Sequence, residues 1–203
     1  MNDPANKYRR KLLLGLAALP LSTLAATRTP PGAEGPFYPT GSMRFHDNDN
    51  DLVKIDGAVE SAGGEIVRLQ GRVLDTDGKP LVGARVEIWQ CDVRGRYLHK
   101  GDRGSSSRDP GFQGFGKSIT NADGEYWFRT IKPVPYTGRT PHIHVKVWIE
   151  GRDRLTTQFY LPDHPHNQRD WLYRNVPEDK RDQVTMVFKK SDAEPVATVD
   201  LVV

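Results

Sequence analysis

From residue 65 onward, apolar and polar side chains alternate in short runs separated by turn residues. Ile66 to Leu74 switches face at nearly every position and is rich in β formers, the pattern of a strand with one buried side. Asp75-Thr76-Asp77-Gly78 then reads as a tight turn, and Asn121-Ala122-Asp123-Gly124 as another. Ala84 to Gln90, Glu125 to Ile131, His142 to Ile149, Leu155 to Leu161, Val184 to Lys189 and Val196 to Val203 read as further strands. A single short helix is predicted near 168–175. This pattern predicts an all-β fold, an antiparallel β-sandwich of the transthyretin or immunoglobulin kind, with long active-site loops.

Two segments stand outside the alternation. Residues 26–40 are rich in Pro and Gly and predict an extended N-terminal arm, pinned to the body by Phe37 and Tyr38. Residues 41–64 are polar and irregular, so 26–64 is expected to precede a sandwich domain spanning 65–203. The stretch 91–117 contains Gly95, Gly101, Gly104, Gly111, Gly114 and Gly116 and fits no strand. A loop of that length inside a compact domain with aromatic and charged residues suggests function.

Composition changes this picture little, and charge changes it at one end. The chain of 203 residues is 36% hydrophobic and 27% charged, with 19 Gly and 15 Pro, a mixture suited to one turn-rich domain. Lys7, Arg9, Arg10 and Lys11 outnumber Asp3 within residues 1–25, and without that stretch 25 basic residues face 25 acidic ones. The remaining chain is neutral, which excludes nucleic-acid binding driven by bulk charge. Arg9-Arg10 before the apolar run Leu12 to Leu21, with small residues at Thr23 and Ala25, predict a cleavable twin-arginine export signal over 1–25. An ordinary secretory signal and an uncleaved anchor are the competing readings. The apolar run is too short to span a bilayer, so no membrane span is expected in the mature chain. The single Cys91 cannot form an intrachain disulfide and reads as a buried structural thiol.

The candidate chemistry begins with His142-Ile143-His144. On a strand, alternate side chains share a face, so both imidazoles point the same way, an arrangement suited to a metal. Alone, the pair reads equally well as two satisfied polar residues. Just before it, Pro133 to Pro141 forms a rigid loop holding Tyr136 and Arg139, and Tyr97 lies in the glycine-rich loop. Zinc recruits Cys, His or carboxylate, whereas phenolate is a hard anionic donor that suits a high-charge ion such as Fe(III).

These stretches resemble the intradiol ring-cleavage dioxygenases of the protocatechuate 3,4-dioxygenase type. The matching pieces are Thr29-Pro30 with Glu34 to Tyr38, Val86 to Asp92 leading to Gly95-Arg96-Tyr97, Asp123-Gly124, Phe128 to Pro133, Pro135-Tyr136, His142 to His144 and Thr157 to Tyr160. The resemblance covers most of 29–161 in order. It implies a ferric ion held by Tyr97, Tyr136, His142 and His144, with Tyr136 the ligand that leaves when substrate binds. It further implies Arg139 as the residue stabilising negative charge on the ring, and Gln158 as a neighbour of the site. The implied reaction uses O2 to open a catechol between its hydroxyls, giving a cis,cis-muconate-type diacid. Only Thr137 and Gly138 separate Tyr136 from Arg139, where the best-known protocatechuate enzymes carry a longer insertion. A more open pocket is therefore expected, which argues against protocatechuate itself. No helical domain precedes the arm, which argues against the catechol 1,2-dioxygenase branch. Four retained ligand positions resemble the metal-bearing subunit, and a homo-oligomer or a second subunit is compatible with that.

Two other clusters compete for attention. Asp47 to Asp51 begins like a calcium loop, but Leu52 and Ala58 replace the required Gly and Glu, leaving a solvated acidic turn. Asp163-His164-Pro165-His166 reads as a surface loop. Two alternative functions remain: an exported non-catalytic module that binds polyphenol or glycan, and a zinc or copper enzyme using His142, His144, His164 and His166.

Overall fold

The computed structural model describes residues 26–203, so the export signal expected over 1–25 lies outside the described residues. The strands are β1 (Ile66–Leu74), β2 (Arg85–Trp89), β3 (Phe115–Ile119), β4 (Glu125–Ile131), β5 (His142–Ile149), β6 (Arg152–Tyr160), β7 (Val187–Lys189), β8 (Val196–Thr198) and β9 (Leu201–Val202). A helix, α1, spans Trp171–Asn175. The protein is mostly β, with two sheets. One runs β4-β1-β8-β7, with β9 also on β1, and the other runs β3-β2-β5-β6.

The strand alternation anticipated the core. Val67, Leu69 and Val73 of β1, Val86 and Ile88 of β2, Phe128 of β4, Ile143, Val145 and Val147 of β5 and Phe159 of β6 join one buried cluster. Each sheet thus turns one row of alternate residues toward the other. The core also reaches back before residue 65, because Leu52 and Val53 belong to the same cluster. The acidic run before them is a docked turn: Leu52 N–H donates to the Arg129 carbonyl (2.8 Å) and Asp51 pairs with Arg129 (3.4 Å).

Four features differ from the strand pattern. The larger sheet is mixed, since β8 and β9 run parallel to β1. The expected strand 196–203 is split at Val199, whose carbonyl turns to accept from Tyr126 Oη (2.7 Å) and packs on Gly71, where a Cβ would collide with it. β3 emerges from the end of the glycine-rich stretch by pairing with β2, a long-range contact invisible to local pattern. The start of the strand expected at 184–189 is instead the end of a 3-10 turn, Glu178–Val184.

The two faces of the smaller sheet are both buried, and this positions the site. β5 is buried at six successive positions, His142 through Val147. Its inner side chains enter the core, while its outer ones lie beneath residues 26–44. Thr29 N–H donates to the Val202 carbonyl (3.0 Å) and Gly32 N–H to the Thr156 carbonyl (2.8 Å). Lys146 pairs with Glu34 and Asp153, and Glu87 accepts from Tyr38 Oη (2.6 Å) and Trp148 Nε1 (2.9 Å). Buried charges paired in this way are stable only while the covering segment stays in place.

Ile143 is fully buried on the core side of β5, between the two histidines that face outward. Ile143→Ala is expected to cost about 2–5 kcal/mol of stability through lost burial and a residual cavity. A urea unfolding curve of the purified protein checks this.

Candidate active site

Cross-strand register assembles the site. Trp89 of β2 and Gln158 of β6 flank His144 on β5, and Tyr160 of β6 faces His142. With a period of two, these side chains share the outer face of the sheet. The Trp89 indole stacks on the His144 ring, with centroids 4.8 Å apart and planes 9° off parallel.

Two loops bring in the phenols. Tyr97 comes from the glycine-rich loop, where the buried Asp92 and the partly exposed Asp102 organise the backbone. Asp92 Oδ1 accepts from the N–H groups of Arg94 (2.8 Å) and Arg96 (2.9 Å), and Asp102 Oδ2 accepts from Tyr97 N–H (2.6 Å). Phe37 stacks on the Tyr97 ring at 4.8 Å. Tyr136 comes from the Pro-rich loop, its ring edge-on to Tyr97 at 5.1 Å and 5.6 Å from the His142 ring. Gly35 crosses directly over His144 with φ +72°, a conformation and a space that suit glycine, since a Cβ there would lie 3.3 Å from the imidazole.

The four side chains expected as ligands therefore converge. His142 Nε2 lies 3.1 Å from His144 Nε2 and 3.5 Å from Tyr97 Oη. His142 Nδ1 contacts the Thr140 carbonyl at 2.6 Å. A carbonyl only accepts, so Nδ1 carries the proton and Nε2 presents its lone pair to the other imidazole. The Thr140 carbonyl is held in that position by Pro141, which keeps the preceding residue extended.

Burial decides the protonation states. It pushes His142 down to about 4, with the Arg139 charge adding to the effect. It pushes His144 well below its usual range, reinforced by His142 and Arg139. Both imidazoles are neutral at pH 7. Burial also raises the Tyr97 phenol well above its usual value, and raises Tyr136 against the opposing pull of Arg139. The buried Tyr97 phenol, the half-buried Tyr136 phenol and two neutral imidazoles thus bring oxygen and nitrogen donors to one place. His144 Nδ1 has no hydrogen-bond partner of normal geometry among the described residues, and the Ala33 backbone only partly offsets its desolvation. A cation of high charge would complete the set, because it can hold phenols as phenolates.

Arg139 and Gln158 sit beside the ligands in a connected network. Arg139 Nη2 donates to Gln158 Oε1 (2.7 Å) and its Nε to Asp170 Oδ2 (2.7 Å). Gln158 Oε1 also accepts from Tyr160 Oη (3.0 Å), and Gln158 Nε2 donates to the Ala33 carbonyl (2.7 Å). A cleft of about 220 Å³ opens against Tyr136, Arg139, Thr140, His166, Arg169 and Asp170.

The four-histidine centre does not form. Among the described residues no three His, Cys, Asp or Glu side chains gather into a metal site. His164 and His166 pair with each other, ring centroids 5.0 Å apart, and His166 lines the cleft instead. Cys91 is buried, its thiol pushed up to about 12 by desolvation, as expected of a structural thiol. Sequence reasoning missed Phe37 and Trp89 as the aromatic walls of the site, Asp92 and Asp102 as supports of Tyr97, and Asp170 as the partner of Arg139. Asp170 precedes Trp171 in a legible N-cap position, but its partner lies 31 residues away.

A family model described as Dioxygenase matches residues 33–202. The protocatechuate 3,4-dioxygenase beta chain of Burkholderia cepacia is 38% identical over 156 residues, covering 72% of this chain and 66% of that protein. Hydroxyquinol 1,2-dioxygenase of Rhizobium sp. (strain MTP-10005) is 31% identical over 194 residues, covering 83% and 62%. This chain thus spans less than two thirds of the length of the curated relatives it matches. The dioxygenase domain of a dioxygenase carbohydrate-binding protein fusion from the cellulolytic bacterium Streptomyces sp. SirexAA-E is 31% identical with a TM-score of 0.64, covering 87% of this chain and 98% of that one. An intradiol ring-cleavage dioxygenase from Tetranychus urticae, 21% identical, shares the fold with a TM-score of 0.68 over 87% of this chain and 94% of that one. Fold and matches together define the dioxygenase class. Within it, the chain belongs to the intradiol ring-cleavage dioxygenase family.

The histidine shifts predict a pH dependence for the metal-free protein. His142 binds a proton near 6.5 when unfolded and near 4 when folded, so the unfolded chain takes up protons first as pH falls. Stability is therefore expected to drop as pH falls through that window, with His144 adding to the drop at lower pH. Urea midpoints between pH 7 and pH 4 check this, and the His142→Gln variant should show a shallower slope.

Proposed function

We propose that this protein is a non-haem iron(III) intradiol dioxygenase that opens a catechol-type ring with O2, giving a cis,cis-muconate-type dicarboxylate. The observation that carries the reading is the convergence of Tyr97, Tyr136, His142 and His144 on one point of the outer sheet face. Those four residues would hold the iron. When bound, ferric iron supplies the Lewis acidity that chelates the two catechol oxygens and makes the ring reactive toward O2.

The chain's own residues do the rest. A catechol must lose two protons to chelate. Tyr136 is the more exposed of the two phenols, and it borders the cleft. Tyr136 would be a phenolate while holding the iron, so on release its Oη would accept one of these protons, and the other would pass to solvent at the open cleft. Arg139 commits Nε and Nη2 to Asp170 and Gln158, which leaves Nη1 to meet negative charge building on the ring. Gln158 is engaged at both ends, so its part is to orient Arg139. Trp89, Phe37 and the segment carrying Gly35 exclude water from the imidazole side.

The cleft of about 220 Å³ is smaller than the roughly 300–1,000 Å³ of sites for drug-sized ligands, so it suits a single-ring diphenol. The exposed two-residue link Thr137-Gly138 leaves that side open. The short Thr137-Gly138 link is the basis for preferring a simple catechol to protocatechuate. The two sheets enclosing one core support the sandwich description, and the hydrogen bonds of residues 26–32 support an arm that closes the site. A homo-oligomer or a second subunit is part of the proposal, as the relative named a beta chain suggests. Residues 1–25 are proposed as a twin-arginine signal, giving a periplasmic or extracellular enzyme. Among the described residues no helix is long and apolar enough to cross a membrane.

The purified iron-loaded protein is expected to be burgundy from tyrosinate-to-iron charge transfer and to convert catechol under O2 to a ring-opened diacid. Tyr97→Phe and His142→Ala should lose iron and colour. Tyr136→Phe should retain iron and lower turnover by about 10²–10⁴-fold, the range for loss of a proton-transfer group. A colourless protein that retains no iron after ferric reconstitution would sink the reading. N-terminal sequencing of the exported protein should begin at Ala26.

A further inference from the structure

The Asp170 side chain is 1% exposed and accepts four N–H groups that belong to two different parts of the chain. Oδ2 accepts from Arg139 Nε (2.7 Å) and Thr140 N–H (2.8 Å), in the loop that leads into β5. Oδ1 accepts from Leu172 N–H (2.9 Å) and Tyr173 N–H (3.0 Å), in the first turn of α1. A helix N-cap needs only the second pair. The first pair is surplus to capping, and it acts on Arg139 and Thr140, two of the three residues between Gly138 and His142.

The consequences for the site can be traced atom by atom. Arg139 is long and flexible, with rotamer freedom to lose. Its guanidinium is held at Nε by Asp170 and at Nη2 by Gln158, so both contacts are needed to define its plane. Gln158 is itself fixed by Ala33 and Tyr160 and cannot follow a moving arginine. Thr140 is held at its N–H by Asp170, at Oγ1 by Asn167 (2.6 Å), and offers its carbonyl to His142 Nδ1. Burial opposes the charge on Asp170, but the bonds from Arg139, Thr140 and Tyr173 outweigh it, and its carboxyl stays ionised below the usual range.

We propose that Asp170 is a positioning residue for ring opening, fixing the Arg139 guanidinium so that its remaining Nη1 meets the substrate. The proposal rests on the intradiol reading above. It assigns α1 a part in the reaction: the helix terminus is the rigid mount from which the arginine is aimed.

Asp170→Ser separates the two jobs of the carboxylate. Serine caps a helix as well as aspartate does, but it is too short to reach Arg139 as well. The variant is expected to keep its iron and its charge-transfer colour, to bind catechol under anaerobic conditions within about threefold of the parent, and to lose kcat by about 10–100-fold, the range for removing an outer partner of a catalytic group. Arg139→Ala should lose kcat by a larger factor. Adding Asp170→Ser to Arg139→Ala should then cost less than about threefold more, because residues that act through one another are not additive. Losses that multiply in the double variant would overturn the assignment, as would an Asp170→Ser enzyme with unchanged kcat or one that sheds iron along with activity. If Asp170→Ser does not fold, Asp170→Asn takes its place in the same cycle. A parent protein that binds iron but opens no catechol would overturn the intradiol reading instead, and with it the role given to Asp170.

Discussion

The outer face of the smaller sheet is buried although it carries His142, His144, Lys146, Glu87 and Gln158. Everything else in the site follows from that constraint. A sheet face of this composition would ordinarily lie in water. Here residues 26–44 and the loops holding Tyr97 and Tyr136 cover it, and each polar group beneath them must find a partner. Lys146 and Glu87 find theirs in ion pairs and hydrogen bonds. The imidazole nitrogens that face the phenols find only each other and Tyr97, and His144 Nδ1 has no hydrogen-bond partner of normal geometry among the described residues. That convergence of under-satisfied nitrogen and oxygen donors is what makes the place a candidate metal centre.

The same burial sorts the residues into roles. Tyr97 is nearly sealed, wedged against Phe37 and held by the backbone contacts of Asp92 and Asp102. Tyr136 is half-open and sits on a short loop beside the cleft. One phenol is thus fixed and the other freer, one on each loop. Arg139 is held between Asp170 and Gln158, so its charge is partly offset on one side and available on the other. The histidine–tyrosine cluster and the arginine network are thus tied together through Thr140, whose N–H and carbonyl serve one each.

Much of this was legible along the chain. Period-two alternation located β1, β4 and β5, because each has one face in the core and hydrophobic burial imposes the pattern locally. The His-x-His spacing put both imidazoles on one face, since strand geometry requires it. The tyrosines and Arg139 were identified through ordered motifs that resemble a family, and the structure brings them to the histidines. What escaped was non-local. β3 exists because β2 offers it a partner, Val199 breaks the last strand because Gly71 admits its carbonyl, and β8 and β9 lie parallel to β1 because the chain returns from the far side.

The sequence by itself determined the strand content, the residue types of the site and the face of β5 on which the histidines stand. Those properties depend on neighbours within a few positions, where backbone geometry alone sets direction. Only the tertiary structure decided that this face is dry, that Trp89 and Phe37 wall it, and that Asp170 holds Arg139. Those contacts join residues tens of positions apart, and they form because covering a polar sheet face forces each group beneath to be satisfied.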